Sequence, residues 1–190
     1  MSTPTATTTH EMPLAAGTWS VDTVHSAVEF TVRHLGLAKV RGRFNDFSGA
    51  VVVGDSVADT RVDAEVQMAS VDTNNADRDA HLRSGDFFSV DTNPTMTFRS
   101  TGVVADGDDY RLDGELTLAG TTRPVSFSVE LHGTEVYPMD DSTRAGFSAT
   151  SAISRKDFGI SFDVPLGADK VAIGDKVTIE LEIQLVAPSD

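Results

Sequence analysis

Five histidines, His10, His25, His34, His81 and His132, are the first candidates for metal or acid–base chemistry. A catalytic zinc needs three convergent nitrogen or oxygen ligands and one open position. No two of the histidines stand as H-x-H, H-x-x-x-H or H-E-x-x-H. They read as polar residues of loops or of a barrel rim. Cysteine is absent, which removes disulfides, thiolate metal sites and thiol nucleophiles together. Asp106-Gly107-Asp108-Asp109 resembles the start of a calcium loop but lacks the spacing and closing Glu of an EF-hand, so it reads as a solvated hairpin tip. There is no dinucleotide, phosphate-loop or nucleophile-elbow motif. Glycoside chemistry needs two inward-facing acids. Here the carboxylates occupy polar strand positions, and Asp86, Asp91 and Asp157 read as loop caps. No nucleophile emerges, and the expectation is a protein that is not an enzyme and uses no metal or cofactor.

The elements that must carry any function are set by composition and period. A chain of 190 residues is one domain by length, and 39% hydrophobic residues suffice for a core. The 29 acidic against 15 basic residues give a net charge of −14. That excludes a general nucleic-acid binder, which must gather cations against phosphates. It also argues against simple electrostatic docking on anionic lipid heads. Residues 1–16 are rich in Thr, Pro and Ala, without periodicity, and read as a disordered tail. They hold neither a basic start nor a sustained apolar run, so the expectation is no secretory signal and a cytoplasmic location. The longest aliphatic run, Ala50–Val53, falls far short of the ~20 residues that span a bilayer, so no integral membrane segment is expected.

From Thr18 onward, apolar and polar residues alternate with period two. The apolar parity is carried by Val28, Phe30 and Val32; by Phe47, Gly49, Val51 and Val53; and by Val62, Ala64, Val66 and Met68. It continues through Met96 and Phe98; Tyr110, Leu112, Leu116 and Leu118; Val125, Phe127, Val129 and Leu131; Ala145, Phe147, Ala149 and Ile153; and Val177 to Leu185. These are eight strand-like stretches, with a short ninth at Thr18–Val21. One-faced strands joined by hairpin chemistry at Ala105–Asp109 and Ala119–Thr122 point to an all-β antiparallel sheet closed on itself, within a single domain of residues 17–187. Two places break the rhythm. Asn74–Ser84 has helix signals: capping candidates at Asp72, Thr73 and Asn74, an Asp79/Arg83 pair at i,i+4, and Gly85 as a stop. Arg155–Phe158 reads as one helical turn.

An eight-stranded barrel is filled by its own side chains or holds one slim ligand. On pattern alone the packed core is the favoured reading, because most apolar stripes are simply core. Ten phenylalanines supply most of the bulk, and Phe87-Phe88 and Phe158 follow the two breaks, where a barrel end would be lidded.

Several phrases occur in order: Trp19–Phe30, Val32–Gly36, Val40–Phe44, Ala76–Phe88, Pro94–Phe98, Gly114–Leu118, Gly120–Val125, Gly146–Ala149 and Ser154–Ile160. Together they resemble the YceI-like polyisoprenoid-binding family over about residues 17–187. The resemblance implies a lipocalin-like eight-stranded barrel that encloses, and sequesters or carries, a long isoprenoid tail, an isoprenoid quinone or another lipid. It also allows a homodimer. Under it, Val28, Phe30, Val32, Phe44, Met96, Phe98, Leu116, Leu118, Phe127, Val129, Phe147, Leu181 and Ile183 face the ligand, and Phe87, Phe88 and Phe158 close the mouth. His34, Arg78, His81 and Arg155 are candidates for the head group, or else partners of Asp77, Asp79, Asp86 or Asp157. A fatty-acid or other amphiphile binder and a packed scaffold without ligand are the alternatives.

Overall fold

The computed structural model describes residues 12–167 and 170–189. Its strands are β1 (Gly17–Val21), β2 (Ala27–His34), β3 (Ala38–Phe44), β4 (Phe47–Val53), β5 (Arg61–Gln67), β6 (Val71–Asp72), β7 (Thr95–Asp106), β8 (Asp109–Leu118), β9 (Thr121–Val136), β10 (Thr143–Ser154), β11 (Pro165–Gly167), β12 (Lys170–Val171) and β13 (Ile173–Val186). The alternating pattern is satisfied only by a sheet with one dry face, and the chain achieves this by closing the sheet into a ring. Neighbours run β1-β4-β5-β7-β8-β9-β10-β13, and β13 returns to β1. Every pairing is antiparallel.

β2 pairs with the same edge of β13 as β1, and β3 pairs with β2. β1 and β2 are therefore one interrupted stave, as are β3 and β4, and the closed barrel has eight. The interruption after β1 is an Asx turn: the Val24 N–H donates to Asp22 Oδ1 at 3.0 Å. The stretch read as a separate ninth strand is thus the first half of this stave. The β8–β9 hairpin turns on Ala119 (φ 49°) and Gly120 (φ 79°), the two left-handed residues that match strand twist.

The helix α1 (Ala76–Arg83) is capped by Asn75, whose side chain accepts the Arg78 N–H. The expected Asp79–Arg83 pair does not form. Asp79 is buried and accepts from the N–H and hydroxyl of Thr73, while Arg83 donates to Ala69 O at 2.9 Å and Val71 O at 3.1 Å. A buried carboxylate is best served by donors that come with the backbone. Arg155–Phe158 is a 3₁₀ turn ended by Gly159 at φ 77°.

Two apolar clusters fill the barrel. One joins Phe44, Met68, Val71, Phe98, Leu116, Leu118, Phe127, Phe158 and Ile160 with the loop residues Phe87, Phe88 and Val90. The other is built on Leu14, Trp19, Val53, Ala145 and Leu185, with Met12 against it. Residues 1–11 of the segment read as a tail lie outside the described residues. Its last part does not behave as a tail: Leu14 is 5% exposed, and the Trp19 indole donates to Ala15 O at 2.9 Å.

Candidate functional site

A cavity of about 200 Å³ lies inside the barrel between the two clusters. Strand alternation aims every second side chain of eight staves at the same axis, and small residues keep the space open. Gly49 and Ala64 face each other across β4 and β5, and Ala149 sits opposite Val129 on β9. The lining is almost wholly carbon. Asp63 reaches its edge but turns to Arg99 outside, at 3.7 Å with a 66% exposed side chain. Thr60 donates to Ser56 O at 3.3 Å, and Tyr110 brings a phenol ring in opposite Val129. The lining residues include no histidine, lysine or arginine. Among the described residues no group of His, Asp and Glu gathers in a metal-holding cluster. Such a surface offers dispersion contacts and exclusion of water, which suits a hydrocarbon.

Val28, Met96, Phe98, Leu116, Phe127, Val129, Phe147, Leu181 and Ile183 line this cavity. The other apolar positions named from the sequence do not. Phe30 and Phe44 share the inward parity, but their rings pack on each other with centroids 5.6 Å apart. The Phe30 ring lies over Gly42, where an added Cβ would come within 2.3 Å of it. Phe88 continues that stack 6.1 Å from Phe44. Phe87 packs on Phe162 and His81, and Phe158 is 2% exposed. Together with Leu118 these side chains belong to or pack on the core that fills one barrel end, so they stopper that end instead of lining the void. Val32 sits farther along β2, between Val177 and Val40.

None of the four polar candidates lines the cavity. His34 is exposed at the end of β2. Arg78 donates from Nε to Thr73 Oγ1 and from Nη2 to Thr73 O, both at 2.7 Å. His81 pairs with Asp86 at 2.8 Å. Arg155 is 4% exposed. Its donors are taken by Gly174 O, Ile160 O, Phe162 O, Ile173 O and Asp163, the last at 2.8 Å. Burial alone would raise the Asp163 pKa. The N–H groups of Ile173 and Val164 and the Arg155 guanidinium outweigh it and hold the carboxyl below its ordinary range.

The sequence reading left out Val21, Phe47, Val51, Val62, Val66, Val103, Tyr110, Leu112, Ile179 and Leu185, which also line the cavity. Most of these carry the inward parity of strands already recognised, so the signal was present in the alternation. Met12 had none: nothing in its surroundings is periodic.

A closed antiparallel barrel around an apolar void, with no charged side chain among the described residues directed into it, is an architecture with room for one slim apolar molecule. The chain belongs to the YceI-like family, whose domain matches residues 19–185. It is 42% identical over 150 residues to a UPF0312 protein of Pseudomonas aeruginosa, covering 78% of each chain. Among solved structures it is similar to BcnA of Burkholderia cenocepacia, with TM-score 0.75 at 23% identity over 88% of this chain and 99% of that one. It is also similar to a polyisoprenoid binding domain from Saccharophagus degradans implicated in plant cell wall breakdown, with TM-score 0.69 at 16% identity over 90% of this chain and 98% of that one. At these identities the two structures speak for the fold.

Proposed function

We propose that this protein binds the hydrocarbon tail of a long apolar lipid, a polyisoprenoid or isoprenoid quinone, in the barrel and shields it from water for storage or carriage. The cavity itself is the observation that carries this reading. An apolar cavity of about 150 Å³ already stays dry and takes up benzene. The space here, about 200 Å³, is larger and bounded by carbon. Each buried CH₂ contributes about 0.8 kcal/mol, offset in part by ordering of the tail's rotors. Typical pockets for whole ligands run to about 300 Å³ and more, so the tail enters segment first and a longer chain must displace a wall. Met12 is the wall suited to that, being an unbranched and adaptable side chain at the cavity's edge. Recognition on this account is by length and greasiness, not by a head-group contact.

Organic extraction and mass spectrometry of protein purified without detergent test the reading. A stoichiometric prenyl chain supports it, and a fatty acyl chain redirects it to fatty-acid binding. An empty extract from a protein that also fails to take up a prenyl alcohol leaves a scaffold without ligand.

A further inference from the structure

The turn joining β2 to β3 holds Leu35 at φ 56° and Gly36 at φ 69°. Tight hairpins place Asn or Asp in the first of these positions, because a branched apolar side chain is strained there. Here a leucine occupies it, 42% exposed, and Leu37 beside it is 80% exposed. Backbone hydrogen bonds tie this turn to the β11–β12 hairpin: Leu35 N–H to Ala172 O at 2.7 Å, and Ala172 N–H to Val164 O at 3.1 Å. That hairpin adds Val164 (49% exposed), Leu166 (47%) and Val171 (42%) to the same end of the barrel. Five exposed aliphatic side chains thus stand on two segments joined by backbone hydrogen bonds.

Around them the charge of the surface reverses. Arg33 stands directly opposite Lys39, a like-charged cross-strand pair that costs stability, and Arg41 follows on the same face. Lys176 lies on the adjoining strand and Lys170 in β12, and all five cations are exposed. Arg33, Lys39, Arg41 and Lys176 enter none of the ion pairs among the described residues. Nearby acids are engaged inward: Asp163 by Arg155, and Asp175 by the Ser154 hydroxyl and the Lys156 N–H. In a chain of net charge −14, cations set against each other around bare aliphatic loops are matched to an apolar phase under a negative surface.

We propose that this end of the barrel docks on an anionic phospholipid bilayer, the aliphatic loop tips entering the headgroup–acyl boundary and the cations meeting lipid phosphates. A second copy of the chain fits less well, because a two-fold interface would press the same cations together. The inference concerns the outer surface and holds whatever the barrel contains.

Co-sedimentation of the full chain tests it, using vesicles of phosphatidylcholine alone and of phosphatidylcholine with 30% phosphatidylglycerol. Binding to the anionic vesicles only, weakening as salt rises, is expected. Lys39→Glu should lower the partition coefficient at least about fivefold, the worth of one cation near such a surface. Leu37→Asp should lower it further, at a residue too exposed to matter for folding. Val136→Asp and Met139→Asp, on exposed apolar residues away from these loops, should leave binding unchanged. Absence of binding to anionic vesicles at low salt overturns the proposal. So does a concentration-dependent dimer in sedimentation velocity that Leu37→Asp abolishes, since the patch then belongs to a second copy.

Discussion

The ring of Phe98 lies over Gly114 on the neighbouring strand: a β-carbon built on the glycine would stand 2.3 Å from Phe98 Cζ. The ring also packs edge to face with Phe127, with centroids 5.4 Å apart. Phe98 is therefore a fixed wall of the cavity, seated in a notch that only glycine leaves open. Gly114→Ala should drive the ring toward the void. The expected result is a destabilisation of roughly 1–3 kcal/mol by overpacking, with weaker uptake of a fluorescent prenyl probe. Thermal unfolding and probe titration read the two effects separately.

Filling the void from Ala64, the cross-strand partner of Phe98 on β5, separates a real cavity from a tightly packed core. Ala64→Leu adds carbon where the structure has space. In a void the substitution should leave the melting temperature unchanged or raise it, and compete with ligand. In a packed core it would cost roughly 1–3 kcal/mol.

Phe30→Asp and Phe98→Asp should part company. Phe98 faces the cavity and is 8% exposed, so Phe98→Asp buries a carboxylate there and costs both ligand uptake and stability. Phe30 packs on Gly42 and Phe44, so its aspartate places a carboxylate in the stoppered end. The second variant should show its main loss in a denaturant midpoint.

Arg155 should prove structural. Removing it leaves several carbonyls and the Asp163 carboxylate without their buried donor, a loss on the order of 3 kcal/mol or more. Arg155→Lys should not restore stability, because an ammonium cannot reproduce the planar five-donor fork. Urea unfolding of the two variants measures this.

Acid sensitivity follows from Asp163. Its pKa is lower in the folded than in the unfolded protein, so its stabilisation is complete above the unfolded value of about 3.8 and is lost as pH falls through the folded value. Asp163→Asn should be less stable than the parent at neutral pH, and the gap should narrow below about pH 4. Denaturant midpoints across that range report it.

The barrel was legible because each strand has one apolar parity, and parity survives any detail of register. The helix and the 3₁₀ turn were legible as breaks in the alternation, but the cap was not: Asn75 caps the helix, where the sequence pointed to Asp72, Thr73 or Asn74. What alternation does not encode is depth along the barrel axis. Phe30 and Phe98 share the same inward parity, yet one stoppers an end and the other walls the void; the difference lies in which glycine, Gly42 or Gly114, receives each ring. Polar candidates were legible as residue types and not as roles. Arg155 is tied up by four carbonyls and one carboxylate, and these meet only once Ile160, Phe162, Asp163, Ile173 and Gly174 have been brought around it. Met12 and Leu14 were unreadable for the opposite reason: an aperiodic segment gives no sign of which side chains will be buried.

Hydrocarbon is expected to occupy the space between the two clusters. Methyl-resolved NMR of the labelled protein during addition of a short prenyl alcohol tests it most directly. Saturable shifts are predicted at Val28, Leu116, Val129, Leu181 and Ile183, with Val57 and Val71, buried away from the void, unmoved. Lining methyls that stay fixed while only surface leucines such as Leu35 and Leu37 respond would contradict the account.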